Sequence, residues 1–226
     1  SSEEFYQIYH KFGYDQAVSR ASDSLSYVYR LDEKYWLMML DSCMCEPVHE
    51  TGGKLSEETV AWMKTQLEEA KKQGVTVIPV SHHNLLDEST LYPEECTIEN
   101  TKEVTALLEA YGVPVYLSGH LHLQRIKKHT SNLNTPGGYG IREIVTSPLP
   151  MAPCQYSILN WQTDGSLSYH TKKVDIAGWA QRYGEEDENL LNFDAYADQF
   201  LVDVISKQAF KALQSASKDI KEEMAR

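Results

Sequence analysis

Apolar positions in the middle of the chain recur in two alternating rhythms. Short apolar runs end abruptly at polar residues, and stripes of helical spacing lie between them. Tyr35–Leu40 is apolar on both faces and stops at Asp41-Ser42, which predicts a strand inside a covered sheet. Leu25–Leu31 before it, across Asp32-Glu33-Lys34, completes a predicted hairpin. A helix is predicted from Ser56 as N-cap to about Gln73, with Val60, Met63, Leu67 and Ala70 as its stripe and Gly74 beyond its end. Val75–Val80 is the next strand and leads into Ser81-His82-His83-Asn84. Asn100 is expected to cap a second helix, with Glu103 at N3 and a stripe of Val104, Leu107, Leu108 and Tyr111 that Gly112 closes. Val113–Leu117 then forms a strand that ends at Ser118-Gly119-His120-Leu121-His122.

Strand, helix, strand, helix, strand implies parallel pairing with right-handed crossovers. Both histidine stretches therefore fall at one sheet edge, where ligand sites of open α/β sheets collect. Gly119 is expected to supply the backbone freedom for the turn that presents His120 and His122. Upstream, Phe5, Ile8, Tyr9 and Phe12 suggest a short helix closed by Gly13. Downstream, Arg125–His129, Ile141–Thr146, Tyr156–Trp161 and Leu167–Val174 read as antiparallel strands, the last two joined by a turn with Asp164-Gly165. From about Ile176 the sequence turns charged and helical, with apolar faces for one or two long helices. The expected division is thus 1–175 and a helical extension, 176–226.

Composition narrows the possible functions. The 226 residues carry a net charge of −12, and 42% are hydrophobic. Acidity without a basic run argues against nucleic acid or an anionic membrane surface as partner. No apolar stretch approaches the ~20 residues of a membrane helix. Cys43, Cys45, Cys96 and Cys154 do not make a disulfide framework, and Cys43 with Cys45 lacks the second pair of a zinc ribbon. Trp36, Trp62, Trp161 and Trp179 are expected to pack in cores or between lobes.

Imidazole is the commonest protein ligand for zinc, copper, iron and nickel, and His82, His120 and His122 at one sheet edge form a candidate metal set. His83 points opposite to His82 along the strand, so it and Asn84 are expected to support the site or face substrate. Asp41 is expected to cap its strand end. A self-contained His₃ zinc enzyme and a non-catalytic truncated domain are the alternatives from other functional classes.

Val77-Ile78-Pro79-Val80-Ser81-His82-His83 and Leu117-Ser118-Gly119-His120-Leu121-His122 resemble the last two metal motifs of calcineurin-like metallophosphoesterases, which include purple acid phosphatases and class III cyclic-nucleotide phosphodiesterases. Phe12-Gly13-Tyr14, Ser24-Leu25-Ser26-Tyr27 and Leu37-Met38-Met39-Leu40-Asp41-Ser42 look like the segment before them, and the resemblance covers about residues 5–175. It implies an α/β fold, part of a four-layer α/β/β/α sandwich. It also implies a dinuclear manganese, iron or zinc site that hydrolyses phosphate esters, with phosphodiesters or cyclic nucleotides favoured. By position, His82 and His120 look like ligands of the second metal and His122 of the first. The tail resembles the C-terminal lobe of bacterial members that act on cyclic nucleotides, which leans the localisation towards the cell envelope.

The family's earlier motifs, Gly-Asp-x-His, Gly-Asp-x-x-Asp and Gly-Asn-His-Asp, do not occur in the sequence. No catalytic acid or base is identifiable. The chain therefore looks like the C-terminal portion of such an enzyme, expected to hold at most one metal, weakly, and to be poorly active alone. An uncovered sheet face is expected too, with a homodimer as one way to cover it.

Overall fold

The computed structural model describes residues 1–45, 49–87, 94–129 and 140–224. The chain divides into two compact units, Ser1–Thr146 and Ser147–Arg226.

The first unit is built on a seven-stranded sheet. Its strands are β1 (Ala17–Arg20), β2 (Tyr27–Arg30), β3 (Tyr35–Leu40), β4 (Thr76–Ser81), β5 (Val115–Ser118), β6 (Arg125–Lys128) and β7 (Arg142–Val145), in the order β1-β2-β3-β4-β5-β7-β6. The pairs β3–β4, β4–β5 and β5–β7 are parallel, whereas β1–β2, β2–β3 and β6–β7 are antiparallel. In register, Leu40 lies opposite Ser81 and Val80 opposite Leu117. The residues after β4 and β5 thus leave one edge of the sheet side by side. That edge carries the histidines.

Helix α2 (Glu57–Gln73) begins at Ser56, whose hydroxyl accepts from the Thr59 amide at 2.9 Å, and ends at Gly74 with φ +68°. Its stripe of Val60, Met63, Leu67 and Ala70 is buried in the core with Trp36, Met38 and Leu40 of β3. On β3 only that face is fully buried; Tyr35, Leu37 and Met39 on the other face are half-buried. The expected two-sided cover is therefore partial among the described residues, because the helices α2 and α3 (Thr101–Ala110) supply their apolar stripes to one core. Asn100 stands at the N-cap of α3 without capping it. Its amide instead brackets Leu55: Nδ2 donates to the Leu55 carbonyl at 2.9 Å and Oδ1 accepts from the Leu55 amide at 3.2 Å. Pairing a buried backbone residue outweighed a helix cap.

At the front of the chain, α1 (Ser2–Tyr9) carries the capping box of Ser1 and Glu4. It runs through a 3₁₀ turn, His10–Phe12, to Gly13 at φ +128°. The expected apolar stripe is not buried: Phe5, Ile8, Tyr9 and Phe12 are all exposed. Tyr14 packs on Tyr27 with ring centroids 4.7 Å apart. Burial, with smaller contributions from Tyr27 and Asp41 and opposition from Arg20, pushes the Tyr14 phenol up to about 12. A raised folded-state pKa stabilises the chain fully below the unfolded value of 10.0, and that share is lost as pH rises to about 12. Urea midpoints across this range should fall more for the wild type than for Tyr14→Phe. Equal losses in the two proteins would show that Tyr14 does not carry the effect.

The second unit pairs β8 (Gln155–Trp161) with β9 (Leu167–Lys173) in an antiparallel hairpin. Gly165 at φ +82° makes its turn, and Asp164 Oδ1 accepts from the Ser166 amide at 2.9 Å. The sequence division placed this hairpin with residues 1–175, whereas it clusters with the helices that follow. Those helices are α4 (Ile176–Tyr183), the single turn α5 (Glu188–Leu191) and the long α6 (Phe193–Met224). Asp175 caps α4 through the Gly178 amide, and Lys173 pairs with Asp194 at 2.9 Å. Trp179 is 41% exposed rather than packed. No helix among the described residues is long and apolar enough to cross a membrane.

Candidate metal centre

Parallel β4 and β5 deliver two loops to the same edge, and a backbone bond ties them: the Gly119 amide donates to the His82 carbonyl at 3.0 Å. His82 Nε2 and His120 Nδ1 then meet at 2.8 Å. Two nitrogens bound to one ion at about 2.1 Å and at right angles would lie about 3 Å apart, so this pair fits a shared cation. Burial lowers the pKa of both imidazoles from the ordinary 6.5. His83 and His122 add to the effect at His82; at His120, His83, His82 and His122 add to it while Glu95 opposes. The neutral imidazole, the form that ligates metal, is thereby favoured.

Ligand atoms of His82, His83 and His120 all lie within 4.8 Å of one another. His83 is nevertheless committed elsewhere. Its Nε2 lies 3.0 Å from the Thr51 carbonyl, which can only accept, so that nitrogen carries the proton. Nδ1 is then left to accept from the Ser42 hydroxyl at 2.8 Å. The ring is buried, and a Cβ at Gly53 would overlap it. His83 is therefore a wall beside the pair, with neither nitrogen turned to a ligand, and it is not offered to solvent.

His122 is exposed and lies outside the cluster of three, although its charge is felt at both His82 and His120. Asn84, expected beside substrate, is fully buried instead; its Nδ2 donates to Ser118 Oγ at 2.9 Å and the Gly119 carbonyl at 3.2 Å. Asp41 caps its strand end by accepting from the Leu25 and Cys43 amides. A cavity of about 1060 Å³ reaches Asp41 and His82 from the aromatic side chains of Phe5, Tyr14 and Tyr27.

The turn after β5 is built differently from the sequence expectation. Gly119 does not take the left-handed backbone; His120 does at φ +61°, and His122 at φ +56°. Non-glycine residues in that region are uncommon and cluster at functional sites. Glu143 on β7 went unnoticed in the sequence. It is fully buried, and its Oε1 accepts from the Leu85 amide and the Ser118 hydroxyl, each at 2.6 Å. Adjacent charges at Arg142 and Glu143 in the strand predicted over Ile141–Thr146, one of which must face inward, were the available signal.

Residues 175–226 match the family model described as the C-terminal domain of cyclic nucleotide phosphodiesterase. Among solved structures, a dimetal phosphatase from Danio rerio is similar over 57% of this chain and 51% of its own, at 14% identity and a TM-score of 0.43. The chain thus spans about half the length of that protein. No curated protein sequence matches it. The family-model match lies in the second unit, whereas the histidine cluster lies on neighbouring strand ends of the first.

Proposed function

We propose that this chain contributes to a metal-dependent phosphoesterase acting on phosphodiesters or cyclic nucleotides. The convergence of His82 Nε2 and His120 Nδ1 from adjacent parallel strands carries the metal assignment. The tail's match to the C-terminal domain of cyclic nucleotide phosphodiesterase supports the substrate class. His82 and His120 would hold one divalent or trivalent ion, manganese, iron or zinc, and His122 would serve a second. Bound metal supplies a water of lowered pKa and stabilises charge on phosphoryl oxygens.

The chain's own residues prepare that site. Desolvation favours the neutral form of the two imidazoles, and the bond between the Gly119 amide and the His82 carbonyl sets the loops edge to edge. His83, proton-locked between Ser42 and Thr51, closes the inner side. No carboxylate joins the histidine cluster among the described residues, so nothing there offsets the repulsion of two cations. Within this chain we therefore assign at most one weakly bound metal and poor turnover. The acidic surface does not oppose a small anionic substrate, because bound cations set the local potential.

A mononuclear zinc site on His82, His83 and His120 is a ligand short, because both His83 nitrogens are already bonded, and the expected third ligand, His122, stands outside that cluster.

Titration with Mn²⁺, Co²⁺ and Zn²⁺, followed by bis(p-nitrophenyl) phosphate hydrolysis, tests the proposal. The expected result is a single weak site that His82→Ala and His120→Asn each abolish. Asn is used because it tolerates the left-handed backbone at position 120. Metal binding unchanged in both variants would refute the assignment, and rapid turnover by the chain alone would refute the incomplete site.

A further inference from the structure

Glu143 sits where the two histidine loops come closest to the strand beside them. β7 pairs with β5 so that Glu143 lies opposite Tyr116, and both residues are fully buried. Oε1 accepts from the Leu85 amide and the Ser118 hydroxyl, each at 2.6 Å, and Oε2 accepts from the Leu86 amide at 2.7 Å. Leu85 and Leu86 follow directly on His82-His83-Asn84, and Ser118 stands two residues before His120. One carboxylate therefore grips both loops. A carboxylate is costly to bury and persists where hydrogen bonds compensate it. Here these three donors belong to the segments that carry the paired imidazoles.

We propose that Glu143 is a positioning residue that sets the distance between His82 and His120. It acts through the backbone of one loop and the hydroxyl of the other. Its consequence for metal affinity rests on the metal reading above; its effect on the two rings does not.

Glu143→Gln keeps the shape of the side chain and removes one acceptor. Whichever way the amide turns, its NH₂ group faces a backbone N–H, of Leu86 or of Leu85, and one of the two bonds that hold the loop after His82 is lost. The test is a comparison of imidazole nitrogen resonances in the metal-free chain. In the wild type, His82 and His120 should each show one protonated and one unprotonated nitrogen. In Glu143→Gln those patterns should average and shift at both rings, while His10 and His170 stay as they were. Co²⁺ affinity should fall about tenfold or more, as for other residues that support metal ligands.

Unchanged His82 and His120 resonances, alongside a lowered melting temperature, would overturn the proposal and leave Glu143 a core residue. If Glu143→Gln does not fold, Ser118→Ala decides: it keeps the carboxylate and both its backbone bonds and removes the hydroxyl link to the His120 loop, together with the Asn84 bond to that hydroxyl. A shift at His120 supports the proposal, and an unmoved His120 overturns it. Should the rings move as expected while neither protein binds Co²⁺, the positional role stands and the metal reading fails.

Discussion

Replacing Gly53 by alanine should expel the His83 ring and cost about 2–5 kcal/mol, the sum of overpacking and buried groups left unpaired. The added Cβ would meet Cγ, Nδ1 and Cβ of His83 in the ring's present position. That position is fixed from both ends, by Ser42 at Nδ1 and by the Thr51 carbonyl at Nε2, so the ring cannot slide without losing a bond. Gly53 itself is held in place: it bridges Cys43 and Ile98, and its carbonyl accepts from the Glu99 amide at 2.8 Å. Gly52→Ala is the control, because a Cβ there meets only the mobile end of Met44, at 3.4 Å. Denaturant unfolding of the two variants should separate them by the full amount. Similar stabilities would show that His83 has room the structure does not give it.

Met38→Ala should be comparably costly, about 2–5 kcal/mol. Met38 is fully buried in the middle of β3, between Val28 on β2 and Pro79 on β4 in register, and faces the core that α2 and α3 cover. Truncation removes the transfer free energy of its side chain and leaves a cavity in a close-packed layer. For a chain of this size each kcal/mol is about 2–4 °C in melting temperature, so calorimetry should register a clear drop. Met39→Ala, on the half-buried face, should lose distinctly less. Equal losses would mean that both faces of β3 are packed alike.

The α/β order was legible because buried parallel strands are short and continuously apolar while their crossover helices carry a stripe. Tyr35–Leu40, Thr76–Ser81 and Val115–Ser118 fall within a residue or two of their predicted bounds and pair in parallel as expected. β1 was missed: Ala17-Val18-Ser19-Arg20 is four residues long, interrupted by a register shift and half-exposed, so it has little periodicity to read. His82 and His120 were legible as strand-end residues, and the structure brings them together. The bonds that fix His83, Asn84 and Glu143 were not legible, because each joins residues 25 or more apart, and those of Glu143 reach as far as 58 residues back. Local pattern carries no record of such partners.

The left-handed backbone at His120 and His122 has a consequence for how substitutions at these positions sort. Two filters act on each position. One is ligand chemistry, which asks for imidazole; the other is steric, and it favours Gly, Asn, Asp and His over β-branched or bulky residues. In a saturation library selected for soluble expression alone, positions 120 and 122 should both be enriched in that small set, whereas an exposed site of ordinary backbone such as Leu123 should drift freely. Adding metal dependence to the selection should then collapse position 120 to His. The order in which the two enrichments appear would separate what the turn demands from what the ion demands, one residue at a time.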